Sequence, residues 1–338
     1  MYFLGIDTSC YTSSVAIVDE NENLIYDGRI LLDVAINEKG LRQSDAVFQH
    51  MNHIPKLFGE AMEITDANRL KAIGVSARPR NVESSYMPVF TAGNNYAKVI
   101  AATIKAPIIE CSHQQGHIIA GAWSINQTFT DMHLVYHISG GTTELLKVVD
   151  INHAIEIVGG TQDLNAGQYI DRIGVALGMK FPCGKEMDKL CNDNESSEFE
   201  LPISVKAATL SFSGPESHVQ RLIAKKTVLE KEFKSKISKS VFINIAEALE
   251  RTIINACAIH NIKDVLIVGG VASNSIISRK LQDSAKAKKS GINITISKPE
   301  YSADNAVGAA LYAKREHLDF GGNYERNNFY SKGNKQLY

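Results

Sequence analysis

The sequence predicts an α/β fold in two lobes, each built on a mixed sheet, and three observations carry that prediction. A three-strand meander with a Ser/Thr-rich first turn opens the chain, and a second, with a Gly/Ser/Thr first turn, recurs about half a chain later. After each meander, helical periodicities alternate with short apolar strands, as in sheets covered by helices. The 338 residues are long for one core and comfortable for two.

In order along the chain, Tyr2–Ile6 reads as a strand, Thr8–Ser13 as a polar turn, Val15–Val18 as the second strand and Leu24–Ile30 as the third. Val47–Met62 has helical apolar spacing, Ala72–Ser76 is a short buried strand, Gly93–Ile104 a small-residue helix and Ala106–Glu110 a strand. Ser112 is placed to cap a helix carrying His113 and His117. The second meander runs Leu134–Ile138, Leu145–Val149 and Ala154–Val158, with its first turn at Ser139–Thr143 and its second at Asp150–His153. Ile243–His260 reads as a long amphipathic helix, and Val265–Val268 as a buried strand running into Gly269-Gly270. These elements divide into an N-terminal lobe over 1–130, closed by a returning helix over 303–317, and a C-terminal lobe over 131–302. The Asn-, Gly- and Tyr-rich stretch over 318–338 reads as a loosely held tail.

Composition excludes several classes. Hydrophobic residues at 44% and charged residues at 22% are ordinary for a globular protein. No apolar run approaches the ~20 residues of a membrane span. The N-terminus meets Asp7 without a basic leader, so it reads as a first strand and not as a signal peptide. Cys10, Cys111, Cys183, Cys191 and Cys257 are scattered and form no C-x-x-C pair, which points to reduced thiols in a cytoplasm. A net charge of -1 provides no global field toward nucleic acid. The Lys-rich stretches Lys225–Lys239 and Arg279–Lys289 read as solvated helix faces. Any RNA bound must therefore find its phosphate contacts on a local patch or a partner.

Three turns are candidates for a nucleotide. Ser139-Gly140-Gly141-Thr142 follows a strand directly, so its amides and hydroxyls can approach a phosphate; alone, it is equally an ordinary hairpin turn. Its counterpart, with Thr8, Ser9 and Thr12, strengthens the reading. Paired phosphate turns across an interlobe nucleotide cleft are how actin-like and sugar-kinase folds grip a nucleotide tail. Third, the strand before Gly269-Gly270 passes into a helix through Val271-Ala272-Ser273-Asn274, where a ligand can lie on bare backbone and a helix N-terminus. A packing turn accounts for these glycines, but less readily for Asn274, whose amide suits a ribose or base edge.

His113 and His117, at i and i+4, share one helix face and can share a metal, although such pairs are more often surface or satisfied core residues. The metalloprotease pattern needs Glu after the first histidine; Gln114 stands there and cannot act as general base. His137, on the strand before Ser139, is a further candidate ligand, and Asp304 in Ser302–Ala310 supplies a carboxylate at the start of a small-residue helix. Imidazoles with one carboxylate suit zinc or ferrous iron alike.

In their order, these motifs resemble the TsaD family, the tRNA threonylcarbamoyladenosine transferases once described as sialoglycoproteases. The likeness runs from Leu4-Gly5-Ile6-Asp7-Thr8-Ser9-Cys10 to Ala303-Asp304-Asn305-Ala306, through His113 and His117, Ser139-Gly140-Gly141, Gly167–Gly184, Ser211-Phe212-Ser213-Gly214 and Gly269–Asn274. The resemblance implies one divalent metal, iron or zinc, on His113, His117 and Asp304, with His137 where some relatives place a tyrosine ligand. It implies phosphates facing Ser139, Gly140 and Gly141, with Asp171, Gly184, Asp188 and Asn274 on ribose and adenine. The ligand implied is an adenine nucleotide or threonylcarbamoyl-adenylate. The implied reaction moves the threonylcarbamoyl group to the exocyclic amine of an adenosine beside the tRNA anticodon. The implied partners are tRNA, a dimerising paralogue and an ATPase, with a homodimer as a further arrangement and no membrane.

The sequence departs from the family where Asp-Glu-Thr gives way to Tyr11-Thr12-Ser13, and where Gly-His-Thr-Gln gives way to Gly141-Thr142-Thr143-Glu144. Ala77-Arg78-Pro79-Arg80-Asn81 replaces a glycine-rich stretch, and Cys183-Gly184 a Gly-Gly. Three alternatives stand beside the transferase: a divergent nucleotide- and metal-binding paralogue with an assembly or regulatory role, a sugar-kinase-like phosphotransferase, and last a metallopeptidase.

Overall fold

The computed structural model describes residues 1–9, 11–34, 41–81, 85–127, 132–151, 154–191 and 199–319. Cys10, part of the turn expected at Asp150–His153 and the tail from 320 onward lie outside the described residues. The chain forms two compact units. One comprises Met1–Leu32, Arg42–Gly116 and the chain from Asn305; the other is built on His117–Asp304.

The first unit is a five-stranded mixed sheet of β1 (Tyr2–Asp7), β2 (Thr12–Asp19), β3 (Leu24–Leu31), β4 (Leu70–Arg78) and β5 (Ile108–Ser112), in the order β3-β2-β1-β4-β5. The meander β1-β2-β3 is antiparallel, and β4 and β5 join parallel to β1. Helices α1 (Gln43–Ile64) and α2 (Phe90–Ile104) bury Ile54, Leu57, Ala61, Ala97 and Ile100 against Leu4, Ile6, Val15 and Ile17. Each isoleucine, leucine or valine side chain among them contributes roughly 1.5–3 kcal/mol on withdrawal from water, before the entropy of ordering is counted. The expected opening turn is shorter than Thr8–Ser13, because Thr12 and Ser13 already pair with Leu31 and Ile30 in β2.

Helix α3 (His113–Ser124) begins as predicted at Ser112. The Ser112 hydroxyl accepts from the Gln115 amide at 3.1 Å, and the Gln115 side chain accepts in return from the Ser112 amide at 2.8 Å. This reciprocal pair satisfies two amides that a helix start otherwise leaves without partners.

The second unit repeats the topology of the first. Strands β6 (His133–Ile138), β7 (Thr143–Asp150) and β8 (Ala154–Thr161) form an antiparallel meander. After helices α4 (Ala166–Ala176) and α5 (Gly184–Leu190), the short strands β9 (Ser204–Lys206) and β10 (Thr209–Ser211) extend the sheet beyond β8. Helices α6 (Ser213–Ala224) and α7 (Lys231–His260) follow, then β11 (Asp264–Val268), α8 (Ser275–Gln282), α9 (Ala285–Lys289), β12 (Asn293–Ile296) and α10 (Pro299–Ser302). The sheet order β12-β11-β6-β7-β8-β10-β9 thus contains the first unit's pattern, with β11 and β12 in the places of β4 and β5.

Helix α7 starts at Lys231, twelve residues before the predicted Ile243. Its first turns carry the inward stripe partly on Ser235 and Ser238, whose hydroxyls donate to the carbonyls of Leu190 and Lys234, so apolar periodicity alone does not reveal them. The pleat of β6 decides what each face meets. Leu134, Tyr136 and Ile138 join the core with α4 and α7, whereas Val135 packs with Ile118 and Ala122 of α3. Helix α11 (Val307–Asp319) closes the first unit against β1 and β4. No described helix is long and apolar enough to cross a membrane.

Candidate functional site

His113 and His117 stand one turn apart at the start of α3. Asp304 lies in the link between α10 and α11, and its Oδ1 is 3.4 Å from His117 Nε2. It does not open α11 as the sequence suggested: the helix starts at Val307, whose amide is capped by Asn305 Oδ1 at 3.0 Å. Gly308 holds this start close to the first turn of α3, because any Cβ there would lie 1.9 Å from the Gly116 carbonyl oxygen. One donor atom from each of His113, His117 and Asp304 lies within 4.8 Å of the others. Ligands about 2.1 Å from a zinc ion in a four-coordinate site are roughly 3.4 Å apart, so a spread of up to 4.8 Å is wider than that of a filled site by about an ångström. Two imidazoles and a carboxylate match the hard-to-borderline character of zinc or ferrous iron.

Asp7 escaped the sequence reading. Its Oδ2 is 3.0 Å from His113 Nδ1, while its Oδ1 accepts the Ser9 amide at 2.7 Å. The side chain of Asp7 is almost wholly buried at the end of β1. A carboxylate on Nδ1 fixes the ring and its tautomer, directing Nε2 toward a metal. His137, on the face of β6 that meets α3, packs its ring 4.8 Å from that of His117, with a 47° tilt. Burial pushes the thiols of Cys111 and Cys183 up to about 12, so neither offers a thiolate at neutral pH.

The glycine turns of the second unit lie side by side. Strands β6 and β11 are parallel neighbours, with His137 opposite Val268, so Ser139 and Gly269 both emerge at carboxyl ends of the sheet. Such strand ends are where ligands of open α/β sheets bind. The Ser139 amide donates to the Thr142 carbonyl at 2.7 Å, closing the turn, and Gly140 and Gly141 are exposed at its tip. Gly269 has φ of 98°, and a Cβ on it would meet the Ile138 carbonyl oxygen at 2.4 Å. The following turn, Gly270–Ser273, touches α4, α8 and α10.

Residues named from the sequence and others that were not, Ala166 and Asp163 among them, hold this edge in place. The Gly167 amide donates to the Ser139 carbonyl at 3.2 Å, and the Ala166 amide to Thr143 Oγ1 at 2.9 Å, seating the α4 N-terminus on the turn. Asp171 accepts the Cys183 amide at 2.8 Å and so positions Gly184; burial raises its carboxyl above the usual range, despite that bond. Asp188 accepts from the Ser275 hydroxyl at 2.7 Å and amide at 3.1 Å, tying α5 to α8. Asn274 caps α8, its Oδ1 accepting from Ile276 and Ile277 at 3.2 and 2.9 Å. Its oxygen thus serves the helix, a role the sequence reading had not separated from ligand binding. Asp163 gathers Ser211, Ser213 and the amides of Phe212 and Leu164. Burial raises the Asp163 carboxyl, but the hydroxyl and amide bonds outweigh it and hold the group well below the carboxylate range.

In the first unit, the Thr8 hydroxyl donates to the Val89 carbonyl at 2.9 Å and accepts the Gly93 amide at 3.1 Å, anchoring α2. Ser9 is buried, and its Oγ has no hydrogen-bond partner among the described residues. Thr12 lies in β2, and neighbouring Ser13 bonds His50 Nδ1 at 2.8 Å.

The family model described as tRNA N6-adenosine threonylcarbamoyltransferase, TsaD, matches residues 30–311. A protein of that description from Thermosipho africanus is 28% identical over 318 residues, covering 92% of this chain and 93% of its own. One from Neorickettsia sennetsu is 28% identical over 323 residues, covering 94% of each. Among solved structures, component A of the (R)-2-hydroxyglutaryl-CoA dehydratase of Acidaminococcus fermentans matches with a TM-score of 0.54 and 17% identity, over 94% of this chain and 99% of its own. A ROK family glucokinase from Streptomyces griseus matches with a TM-score of 0.51 and 11% identity, over 93% of this chain and 100% of its own. These structures share the two-lobed actin-like and sugar-kinase fold.

Proposed function

The chain belongs to the TsaD family, and from that premise we propose that it transfers a threonylcarbamoyl group from its adenylate to the exocyclic amine of an adenosine in a tRNA anticodon loop. The observation that carries this reading is the grouping of His117 with Asp304 and with His137 near the carboxyl end of β6, one helical turn along α3 from His113. Ser139, Gly140, Gly141 and Thr142 face the donor phosphate, with Gly269 and Gly270 alongside. Asp171, Gly184, Asp188 and Asn274 border its ribose and adenine. Backbone amides at the exposed Gly140-Gly141 tip of the turn favour a phosphoryl group there. His113, His117 and Asp304 would hold a zinc or iron ion, which would supply Lewis-acid polarisation of a carbonyl. Asp7 holds His113 in the ligating tautomer. In the transfer the adenosine amine forms the new C–N bond, the carbonyl–phosphate bond breaks, AMP leaves with the electron pair and the amine releases a proton. Thr8, Ser9 and Thr12 contribute to the site by shaping the end of β1 that carries Asp7.

This reading places the protein in the cytoplasm with tRNA and the smaller proteins of the pathway, a dimerising paralogue and an ATPase. Mass spectrometry of tRNA nucleosides tests it. A strain lacking the gene should lose N6-threonylcarbamoyladenosine and regain it with the wild-type chain, but not with His113→Ala. Unchanged nucleosides in the deletion strain would refute the transfer. The departures at Tyr11-Thr12-Ser13 and Thr142-Thr143-Glu144 favour a second reading, a paralogue that assembles with those partners without turnover. In that case His113→Ala would complement as well as the wild type.

A further inference from the structure

The two Lys-rich stretches that composition marked as ordinary solvated faces meet in the folded second unit. Helix α7 packs along α8, and an open groove of about 430 Å³ lies between α7 and the α8–α9 pair. Lys239 lines it from the first stretch, and Arg279 and Lys280 from the second, over Ile243 and Ile276. Segments 225–239 and 279–289 hold eleven Lys and Arg against three Asp and Glu, in a chain whose net charge is -1. These segments therefore stand at +8 and the remainder of the chain at -9. So strong a segregation is invisible in the net charge.

Carboxylates temper the groove without neutralising it. Glu247 pairs with Lys280 at 2.9 Å, Glu250 with Lys286 at 3.7 Å and Asp283 with Lys288 at 3.6 Å. The last two lysines are 71% and 62% exposed, and ion pairs this exposed contribute little and exchange partners readily. The groove and the proposed nucleotide site share helix α8, which Asn274 caps and whose Arg279 lines the groove. Arg279 lies five residues into α8 from Asn274, about 7.5 Å along the axis at 1.5 Å per residue.

We infer that this groove binds the phosphate backbone of the RNA acceptor. The inference rests on the proposed tRNA reading and adds the surface on which the acceptor docks. Lysine and arginine on an open groove recognise a polyanion by charge rather than by sequence, and position it without reading bases. The helix that contributes Arg279 begins at the loop facing the nucleotide, so RNA held there lies next to the donor.

The test is tRNA binding by the full-length chain as a function of salt, with an unmodified tRNA transcript as probe. Each lysine or arginine that neutralises a phosphate adds about one unit to the slope of log affinity against log salt. Lys239→Gln/Arg279→Gln/Lys288→Gln should therefore flatten that slope by about 2–3 and weaken binding at least about tenfold at 0.1 M salt. Its melting temperature and its affinity for an adenine nucleotide should match the wild type. Glu250→Gln, which removes a competing carboxylate, should tighten tRNA binding about twofold or more, a gain that misfolding cannot produce. A triple variant with wild-type affinity and slope overturns the inference and leaves the transfer reading standing. Absence of salt-dependent tRNA binding by the wild type overturns both. Loss of a protein partner from the triple variant, with tRNA binding intact, overturns the inference and gives the groove an acidic protein as occupant.

Discussion

Replacing Gly140 or Gly141 by alanine separates ligand binding from folding. A Cβ built on either residue meets no atom within 4 Å, and neither φ lies in the left-handed region. The fold therefore accommodates the methyl group, and loss of chain entropy in the unfolded state even favours alanine by up to about 1 kcal/mol. In the proposed site the same methyl occupies the space through which the turn's amides approach a phosphate. One lost charge-assisted hydrogen bond costs about 1.5–3 kcal/mol, which is roughly a tenfold to hundredfold weaker Kd. Gly167→Ala provides the contrast. Its Cβ would lie 2.6 Å from Gly140 Cα and 2.7 Å from the Ser139 carbonyl oxygen, both backbone atoms that yield only by moving the turn. Overpacking of this kind costs about 1–3 kcal/mol of stability. Calorimetric titration with an adenine nucleotide, alongside thermal melting, should show Gly140→Ala and Gly141→Ala melting like the parent but binding poorly. Gly167→Ala should lose both. Parental affinity in the Gly140 and Gly141 variants would refute the assignment of this turn to the phosphates.

Further outcomes follow from individual side chains. Asp7→Asn should leave the protein folded but weaken metal retention about 10–100-fold, measured by metal content after dialysis against a competing chelator; parental retention would deny Asp7 its orienting role. Asp171→Asn should raise stability at pH 7, because burial lifts the folded carboxyl above its unfolded value and the ionised form carries a penalty. That gain should shrink as pH falls and vanish below about 3.9, where the carboxyl is protonated in both states; a pH-independent gain in urea melts would contradict the cause. Asp163→Ala should cost about 1–3 kcal/mol at pH 7 through its lost hydrogen bonds. The depressed Asp163 carboxyl stabilises above its unfolded value and loses that contribution as pH falls through its folded value, so the gap to the parent should close in acid. An undiminished gap at pH 2–3 would show that packing, and not the charge, is responsible.

Much of the fold was legible because hairpins are local. Both meanders are set by polar or glycine turns between short apolar runs, and the predicted strands lie within β1–β3 and β6–β8. The helix carrying His113 and His117 was legible for the same reason, since Ser112 and Gln115 cap it within four residues. Strands β9 and β10, of three residues each, are too short to show alternation. The start of α7 was hidden by serines that bury hydroxyls in place of methyl groups.

The sequence by itself determined the family, the duplicated meander and the residue types of the candidate metal and nucleotide sites, because each is written in neighbouring positions. The tertiary structure alone decided which of these meet. It brought Asp7 to His113 across 106 residues, set His137 against His117 through the pleat of β6, and gave the oxygen of Asn274 to a helix end. It also brought Lys239 from one lysine-rich stretch and Arg279 and Lys280 from the other to one groove. Contacts between distant segments depend on strand order and side-chain facing, which local sequence constrains only through the closed, packed chain.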